Sequence, residues 1–411
     1  MLRRTIETFT GAAVLALMNI VTAAQTPSPD WPQWRGPRRD GTVTTTLPAE
    51  WPAKLTKRWE VSVGAGHSSP VVSGDRVVIH ARQGDKEITR AIALATGKEI
   101  WRNEYAAPYT MNPAAQAHGP GPKSTPAIAG GRVFTFGIGG ILSALDLKTG
   151  KLLWRTPPPS VLPDFGTAMS PLADGALVIA HMGGMNKGAL TAFDAATGAV
   201  RWQWAGDGPA YASPVISTIG GTRHVITQTE KSIVSVNAAN GALLWQAPFT
   251  TPYAQNSVTP VVSGDLLIYS GLDSGVTAVR IARKGTQWTA SPVWKNEQVS
   301  MYMNSPVVSK TTLYGLSNRS AGQFFALDLA TGKTLWTTAG REGENASLIA
   351  AGAFLLLSTT NAELIVARPN SAKFEEVRRY TVADSAVWAH PALAPRALLI
   401  KDVDKLVCWS M

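Results

Sequence analysis

A single cysteine, Cys408, stands in a chain of 411 residues. No intramolecular disulfide can therefore form, and neither a Cys-x-x-Cys-His haem attachment nor a multi-cysteine zinc site is open to it. Charged side chains are sparse at 16%, and beyond the N-terminus no apolar run is long enough to cross a bilayer. His-Glu-x-x-His and Gly-x-Ser-x-Gly are both absent, which removes the commonest zinc-peptidase and serine-hydrolase signatures. Gly332-Lys333-Thr334 ends like a phosphate-binding loop but lacks its upstream glycine, and Gly137-Ile138-Gly139-Gly140 reads as a turn. What the chain has instead is 45% hydrophobic residues, 37 Gly, 27 Pro and 14 Trp, spread along its length. That is a globular, turn-rich composition, and the fold must close by packing.

The N-terminus, Met1-Leu2-Arg3-Arg4, is basic and leads into an apolar stretch over residues 11–24 that ends in Thr22-Ala23-Ala24. Residues 1–24 read as a secretory signal peptide, which predicts a periplasmic or secreted protein. An uncleaved anchor is the alternative, but the run is short for a bilayer and broken by Asn19 and Thr22. No cysteine lies near the cleavage site to take a lipid. The formal charge of +10 serves solubility or attraction to an anionic envelope surface, and export removes nucleic acid from the partners. Residues 25–54 form an N-terminal extension, and the remaining chain, 55–411, carries a repeat.

Small-residue-plus-Pro starts recur at Ser69-Pro70, Thr125-Pro126, Ser170-Pro171, Ser213-Pro214, Thr259-Pro260 and Ser305-Pro306, with weaker versions at Ser347-Leu348 and His390-Pro391. Their spacing of roughly 42 to 56 residues is that of four-stranded propeller blades. A second signal follows within most units: Thr96-Gly97 before Trp101, Thr149-Gly150 before Trp154, Thr197-Gly198 before Trp202, Asn240-Gly241 before Trp245 and Thr331-Gly332 before Trp336. Gly suits a turn that needs positive φ, and Asp146, Asp194 or Asp328 can accept from the turn backbone. The Trp ring is large enough to bury between neighbouring blades. Two units are degenerate, one around Gly285 and Trp294, the other around Asn370-Ser371.

Short apolar runs such as Val77-Val78-Ile79 and Ala91-Ile92-Ala93-Leu94 give four strands per unit. The last unit ends before its fourth strand, whereas Lys57-Arg58-Trp59-Glu60-Val61 precedes the first start. The fold expected is all-β: an eight-bladed propeller of four-stranded antiparallel blades, closed by the N-terminal strand completing the last blade, with Trp59 near Leu406. Such closure hides sheet edges.

The repeated Asp-x-x-Thr-Gly-x-x-x-Trp-like segments resemble the tryptophan-docking motifs of the pyrroloquinoline-quinone (PQQ) repeat family over roughly residues 55–411. Trp31-Pro32-Gln33-Trp34-Arg35-Gly36-Pro37, followed by Arg39-Asp40-Gly41, resembles a segment found before the propeller in exported members. The family includes PQQ-dependent alcohol dehydrogenases and the non-enzymatic assembly factor BamB. The dehydrogenases typically carry a vicinal Cys-Cys pair, which one cysteine cannot supply, and BamB is usually a lipoprotein, whose lipid-accepting Cys is absent here. The resemblance implies an exported binding or scaffold protein with an envelope protein partner and no cofactor; the alternative is a PQQ-dependent oxidoreductase of the alcohol or sugar dehydrogenase type, with PQQ and calcium.

In a four-stranded meander the loops entering each Ser-Pro strand share one face with those joining the second and third strands. That face should hold His67, His118, Tyr211, Asn256, Asn304, Glu344, Asn345 and Trp388 from the entering loops, with Glu230 and Asp273 from the others. His67, Tyr211, Asn256, Asn304, Asn345 and Trp388 are the candidate cofactor-binding residues at the channel mouth. Asp273 and Glu344, helped by Asn304, are the candidate ligands for calcium, a hard cation that takes several oxygens. Met111, Met169, Met182, Met185, Met301 and Met303 map to the same loops. Beside His181 their thioethers suit a soft copper ion, an adaptable surface for a protein partner, or ordinary gap-filling.

Overall fold

A computed structural model describes residues 30–411 apart from residue 46; the expected signal peptide lies outside the described residues. Eight four-stranded antiparallel sheets form the ring. Numbered from the first Ser-Pro start, blades 1 to 6 span residues 71–106, 127–155, 172–204, 215–248, 261–296 and 307–337, and blade 7 spans 346–381. Blade 8 joins Ala392–Ala394, Ala397–Lys401 and Lys405–Ser410 to Thr56–Ser62 from the other end of the chain. Trp59 stands opposite Cys408 and Val61 opposite Leu406. The ring closes where expected, through backbone hydrogen bonds between the two ends of the propeller.

Neighbouring blades lock through the tryptophans. The indole of Trp59 donates to Leu94 O at 2.8 Å, Trp101 to Leu147 O at 3.0 Å, Trp154 to Ala195 O at 3.2 Å and Trp202 to Ala238 O at 3.0 Å. Each ring also lies flat on the turn glycine of the next blade. A Cβ on Gly150 would come within 2.4 Å of Trp101, and one on Gly198 within 2.7 Å of Trp154. These glycines therefore answer two demands, a φ near +70° and contact with an indole. In the turns, Asp146, Asp194 and Asp328 accept from the backbone amides of Thr149, Thr197 and Thr331. Blade 5 is the exception. A long hairpin of Val276–Lys284 and Gln287–Asn296 replaces the tight turn, and the buried indole nitrogen of Trp245 has no acceptor.

The Ser-Pro starts have a physical cause that spacing alone did not reveal. Around the axis, from blade 8 through blade 1 to blade 6, the backbone N–H donates to the hydroxyl of the equivalent residue in the next blade. His390 donates to Ser69, Ser69 to Thr125, Thr125 to Ser170, Ser170 to Ser213, Ser213 to Thr259 and Thr259 to Ser305, at 2.8–3.3 Å. A hydroxyl accepts what would otherwise be an unpaired donor at the crowded inner edge.

Residues 30–43 fill one end of the axial channel. Asp30 accepts from Ser73 Oγ and Gly74 N of blade 1, Trp31 pairs with Val72, and Pro32 O accepts from Ile128 N of blade 2. Arg39 donates to Ser170 O and Pro171 O of blade 3 and to Pro214 O of blade 4, at 3.0, 2.8 and 2.8 Å. Arg35 donates to Pro306 O of blade 6. The segment leaves as Thr42–Val43, a fifth strand parallel to the inner strand of blade 7. Trp31, Arg35 and Arg39 are each 1% exposed. Burial pushes the guanidinium groups below their ordinary value, Arg35 to about 10 and Arg39 to about 9. The extension is thus a stopper whose cations are held by inner-strand carbonyls.

Candidate functional site

Above the stopper the channel opens into a cavity of about 580 Å³. Trp34, at the tip of the stopper, forms its closed end and donates its indole N–H to Thr259 Oγ1 at 3.1 Å. The walls come from loops that precede the inner strands: His67 before blade 1, His118 and Lys123 before blade 2, Phe165 before blade 3, Tyr211 before blade 4, Gln255 before blade 5, Tyr302 before blade 6, Asn345 before blade 7 and Trp388 before blade 8. All eight blades contribute.

Local chemistry sets these side chains. The His67 and Ser68 amides both donate to Pro122 O, and Gly121 packs so closely on Ala65 and Gly66 that a Cβ there would approach within 2.5 Å. That clasp brings His67 to His118, which ends the short helix Pro113–His118. The two imidazoles and Trp388 form an aromatic trio with centroids 5.6, 5.7 and 4.7 Å apart. Burial pushes His67 down to about 3, helped by the neighbouring His118, Lys401 and Lys123, and burial also lowers His118. Both rings are neutral at pH 7. Lys401, fully buried behind them, gives its ammonium to Gly66 O, Asp402 O and Val403 O.

Lys123 reaches into the cavity with its Nζ 2.9 Å from Phe165 O, and burial lowers it to about 8. Tyr211 Oη accepts from Phe165 N at 3.2 Å. The Tyr302 hydroxyl donates to Gln255 Oε1. Two buried polar atoms in the lining, His67 Nε2 and Asn345 Oδ1, have no partner.

Of the residues expected on this face, His67, His118, Tyr211, Asn345 and Trp388 line the cavity. Asn256 and Asn304 are buried in loop scaffolding. Asn256 donates to Thr229 O and Phe249 O and accepts from Thr251, while Asn304 Oδ1 accepts from Leu316 N at 3.4 Å. Glu230 is buried and accepts from Asn186 N. Asp273 and Glu344 are exposed and outside the lining, Asp273 bonded to Asn318. Met303 reaches the cavity, whereas Met301 is buried between blades 5 and 6 and Met169 between blades 2 and 3. Met169 Sδ accepts from His181 N at 3.0 Å. Among the described residues no group of three or more His, Cys, Asp or Glu is placed to hold a metal ion. Calcium takes six to eight oxygens including carboxylates, and the carboxylate in this lining, Asp164, is exposed. The donor set therefore does not fit a calcium-held quinone. Trp34, Lys123, Gln255 and Tyr302 were not foreseen: Trp34 belongs to the stopper, and the other three lie in the entering loops, where Lys123 stands two residues before Thr125 as His67 does before Ser69, a spacing that could have found it.

Residues 84–338 match the family model described as outer membrane protein assembly factor BamB. The dehydrogenase subunit of an alcohol dehydrogenase (quinone) from Komagataeibacter europaeus is 36% identical over 126 residues, 28% of this chain and 16% of that protein. This chain thus spans a minor part of that relative. Among solved structures, BamB from Moraxella catarrhalis superposes with a TM-score of 0.62 at 16% identity, covering 87% of this chain and 98% of that one. A europium-containing methanol dehydrogenase gives 0.70 at 13% identity, covering 94% and 99%. A quinohemoprotein alcohol dehydrogenase from Comamonas testosteroni gives 0.67 at 14% identity, covering 94% and 81%. At these identities the likeness is one of fold.

Proposed function

This chain belongs to the family described as outer membrane protein assembly factor BamB, and from that premise we propose that it is an exported, non-catalytic binding protein of the cell envelope that holds its ligand or partner at the loop face. The supporting observation is the blind cavity. All eight blades contribute to it, the chain's own stopper closes it, and mainly aromatic, small and neutral polar side chains line it, with one lysine and the exposed Asp164. Such a concave, largely apolar site with a few placed polar groups is what binding requires. General-base chemistry asks for a positioned carboxylate, a histidine poised near neutrality or a lysine lowered by burial; here Asp164 is exposed, His67 is held near 3, and Lys123, lowered to about 8, gives its ammonium to Phe165 O.

A second reading, a quinone-dependent oxidoreductase, is favoured by the stretch shared with the quinone alcohol dehydrogenase. One experiment separates the two. Purified protein is given PQQ with calcium and assayed for quinone absorbance and for alcohol- or sugar-dependent dye reduction, while a pulldown from envelope extract seeks a specific partner. Turnover overturns the binding reading. A retained partner without turnover supports it.

A further inference from the structure

The cavity offers more than an apolar hollow, because its polar atoms are mismatched in a particular way. Lys123 brings an ammonium group into it with a carbonyl, Phe165 O, as its partner; burial alone accounts for its lowered value, and the carboxylate of the lining, Asp164, is exposed to solvent. A positive charge held in a partly desolvated site without a counter-ion favours an anion on whatever binds there. His67 Nε2 and Asn345 Oδ1 are buried and unpaired, one on a ring that donates or accepts according to tautomer, the other an acceptor. The Tyr211 hydroxyl accepts from Phe165 N and keeps its own proton to give. A ligand hydroxyl donates and accepts at once, so hydroxyls satisfy this mixed set where a purely aromatic or aliphatic ligand leaves it orphaned. Much of the remaining lining is aromatic, with Trp34 at the closed end and Trp388, Tyr302 and Phe165 on the walls.

Resting on the binding reading above, we propose that this cavity takes a sugar acid: a pyranose whose carboxylate meets Lys123, whose hydroxyls satisfy Tyr211, His67 and Asn345, and whose ring packs on the aromatic lining. Lys123 is protonated at neutral pH although burial lowers it to about 8. The volume of about 580 Å³ falls within the range of small-molecule sites.

The test is isothermal titration of the full chain with glucuronate, glucose and benzoate, with tryptophan fluorescence as a second signal. Glucuronate is expected to bind saturably and at least about tenfold more tightly than glucose, the size of one charge-assisted hydrogen bond. Lys123→Met should bring glucuronate down to glucose, Lys123→Arg should keep the acid preference, and Asn345→Ala should weaken both sugars alike. Absence of glucuronate binding, equal affinity for glucuronate in wild type and Lys123→Met, or benzoate binding as tightly as glucuronate would each overturn the proposal. If the sugar acid fails while the pulldown retains a partner, the binding reading stands without this ligand; if both fail, both go.

Discussion

Arg39 lets the role of the stopper be measured. Its guanidinium spans blades 3 and 4 through three carbonyls at 2.8–3.0 Å and is 1% exposed. Arg39→Met keeps most of the stem's packing but removes all three donors. Deleting the charge also deletes its desolvation cost, so the loss is smaller than three charged hydrogen bonds. What remains is three carbonyls facing a thioether, at roughly 1 kcal/mol each, or about 3 kcal/mol in total. Unfolding entropy of about 2 cal/mol/K per residue over this ring gives roughly 0.8 kcal/mol/K, so Tm should fall by about 4 °C. Arg38 is the control, since its side chain is 59% exposed and pairs with Asp40. Exposed pairs contribute about 0–1 kcal/mol, so Arg38→Met should shift Tm by about 1 °C or less. Arg39→Lys should recover less than half of the loss, because an ammonium has no planar fork to reach two blades. Calorimetry on the three variants is the assay. Equal shifts for Arg38→Met and Arg39→Met would refute the view that the stopper ties the blades together.

The docking of indole on glycine predicts that Gly150→Ala, with φ 72° and Trp101 within 2.4 Å of the new Cβ, costs about 3 kcal/mol, from backbone strain and overpacking together. Gly74→Ala, with φ 58° and open space, should cost about 1 kcal/mol, and urea midpoints compare them. Trp101→Phe should lose about 1 kcal/mol with its bond to Leu147 O, whereas Trp245→Phe should lose less, since its indole nitrogen has no acceptor; equal losses would contradict the contrast. Glu87 is buried, which by itself raises its pKa, yet His80, the Tyr105 hydroxyl and the Ile138 amide together hold it below 4.5. A carboxyl depressed in the folded state contributes stability above its ordinary value and loses it as pH falls below. Glu87→Gln should therefore be less stable at pH 7 and should lose less than the wild type on going from pH 4.5 downward, as read from urea midpoints across that window.

The ring was legible because its devices repeat. Any residue that must recur in every blade writes a period into the sequence, and the Trp, the turn glycine and the Ser-Pro start all do so. Blade 7 and blade 8 show the limit of that signal: Ser347 and His390 stand where the other blades have Ser-Pro, yet His390 still donates its amide to Ser69. The second demand on the glycines was hidden because the indole that rests on each one belongs to the preceding unit, roughly 40 residues away in sequence. The cavity was only half legible for the opposite reason. His67, Tyr211, Asn345 and Trp388 could be placed on a face by topology, and Lys123 holds the same position two residues before its blade's start, but the residue type there differs from blade to blade and writes no period, while Trp34 lies outside the ring altogether. Asn256 sits between the lining residues Gln255 and Ser257 but is turned into the scaffold, and Asp273, on the loop joining the second and third strands of blade 5, faces solvent.

A closed ring of sheets always leaves an axial hole, and this chain fills one end of it with its own residues 30–43. The consequence is an asymmetry between stability and recognition. Contacts that hold the ring, namely the tryptophan docks, the hydroxyl ring and the Arg35 and Arg39 bonds, lie at the inner strands, in the stopper and between the blades. Groups that face the cavity, such as Lys123, Tyr211 and Trp388, hang from loops whose backbone those contacts already fix. Changing one of these loop side chains therefore costs the ring little, whereas Ser170, Ser213 and Thr259, which both line the cavity and belong to the hydroxyl ring, are bound to the fold. Recognition at this site is free to differ among chains that share one set of blades, which is why a family match fixes this fold more firmly than it fixes a ligand.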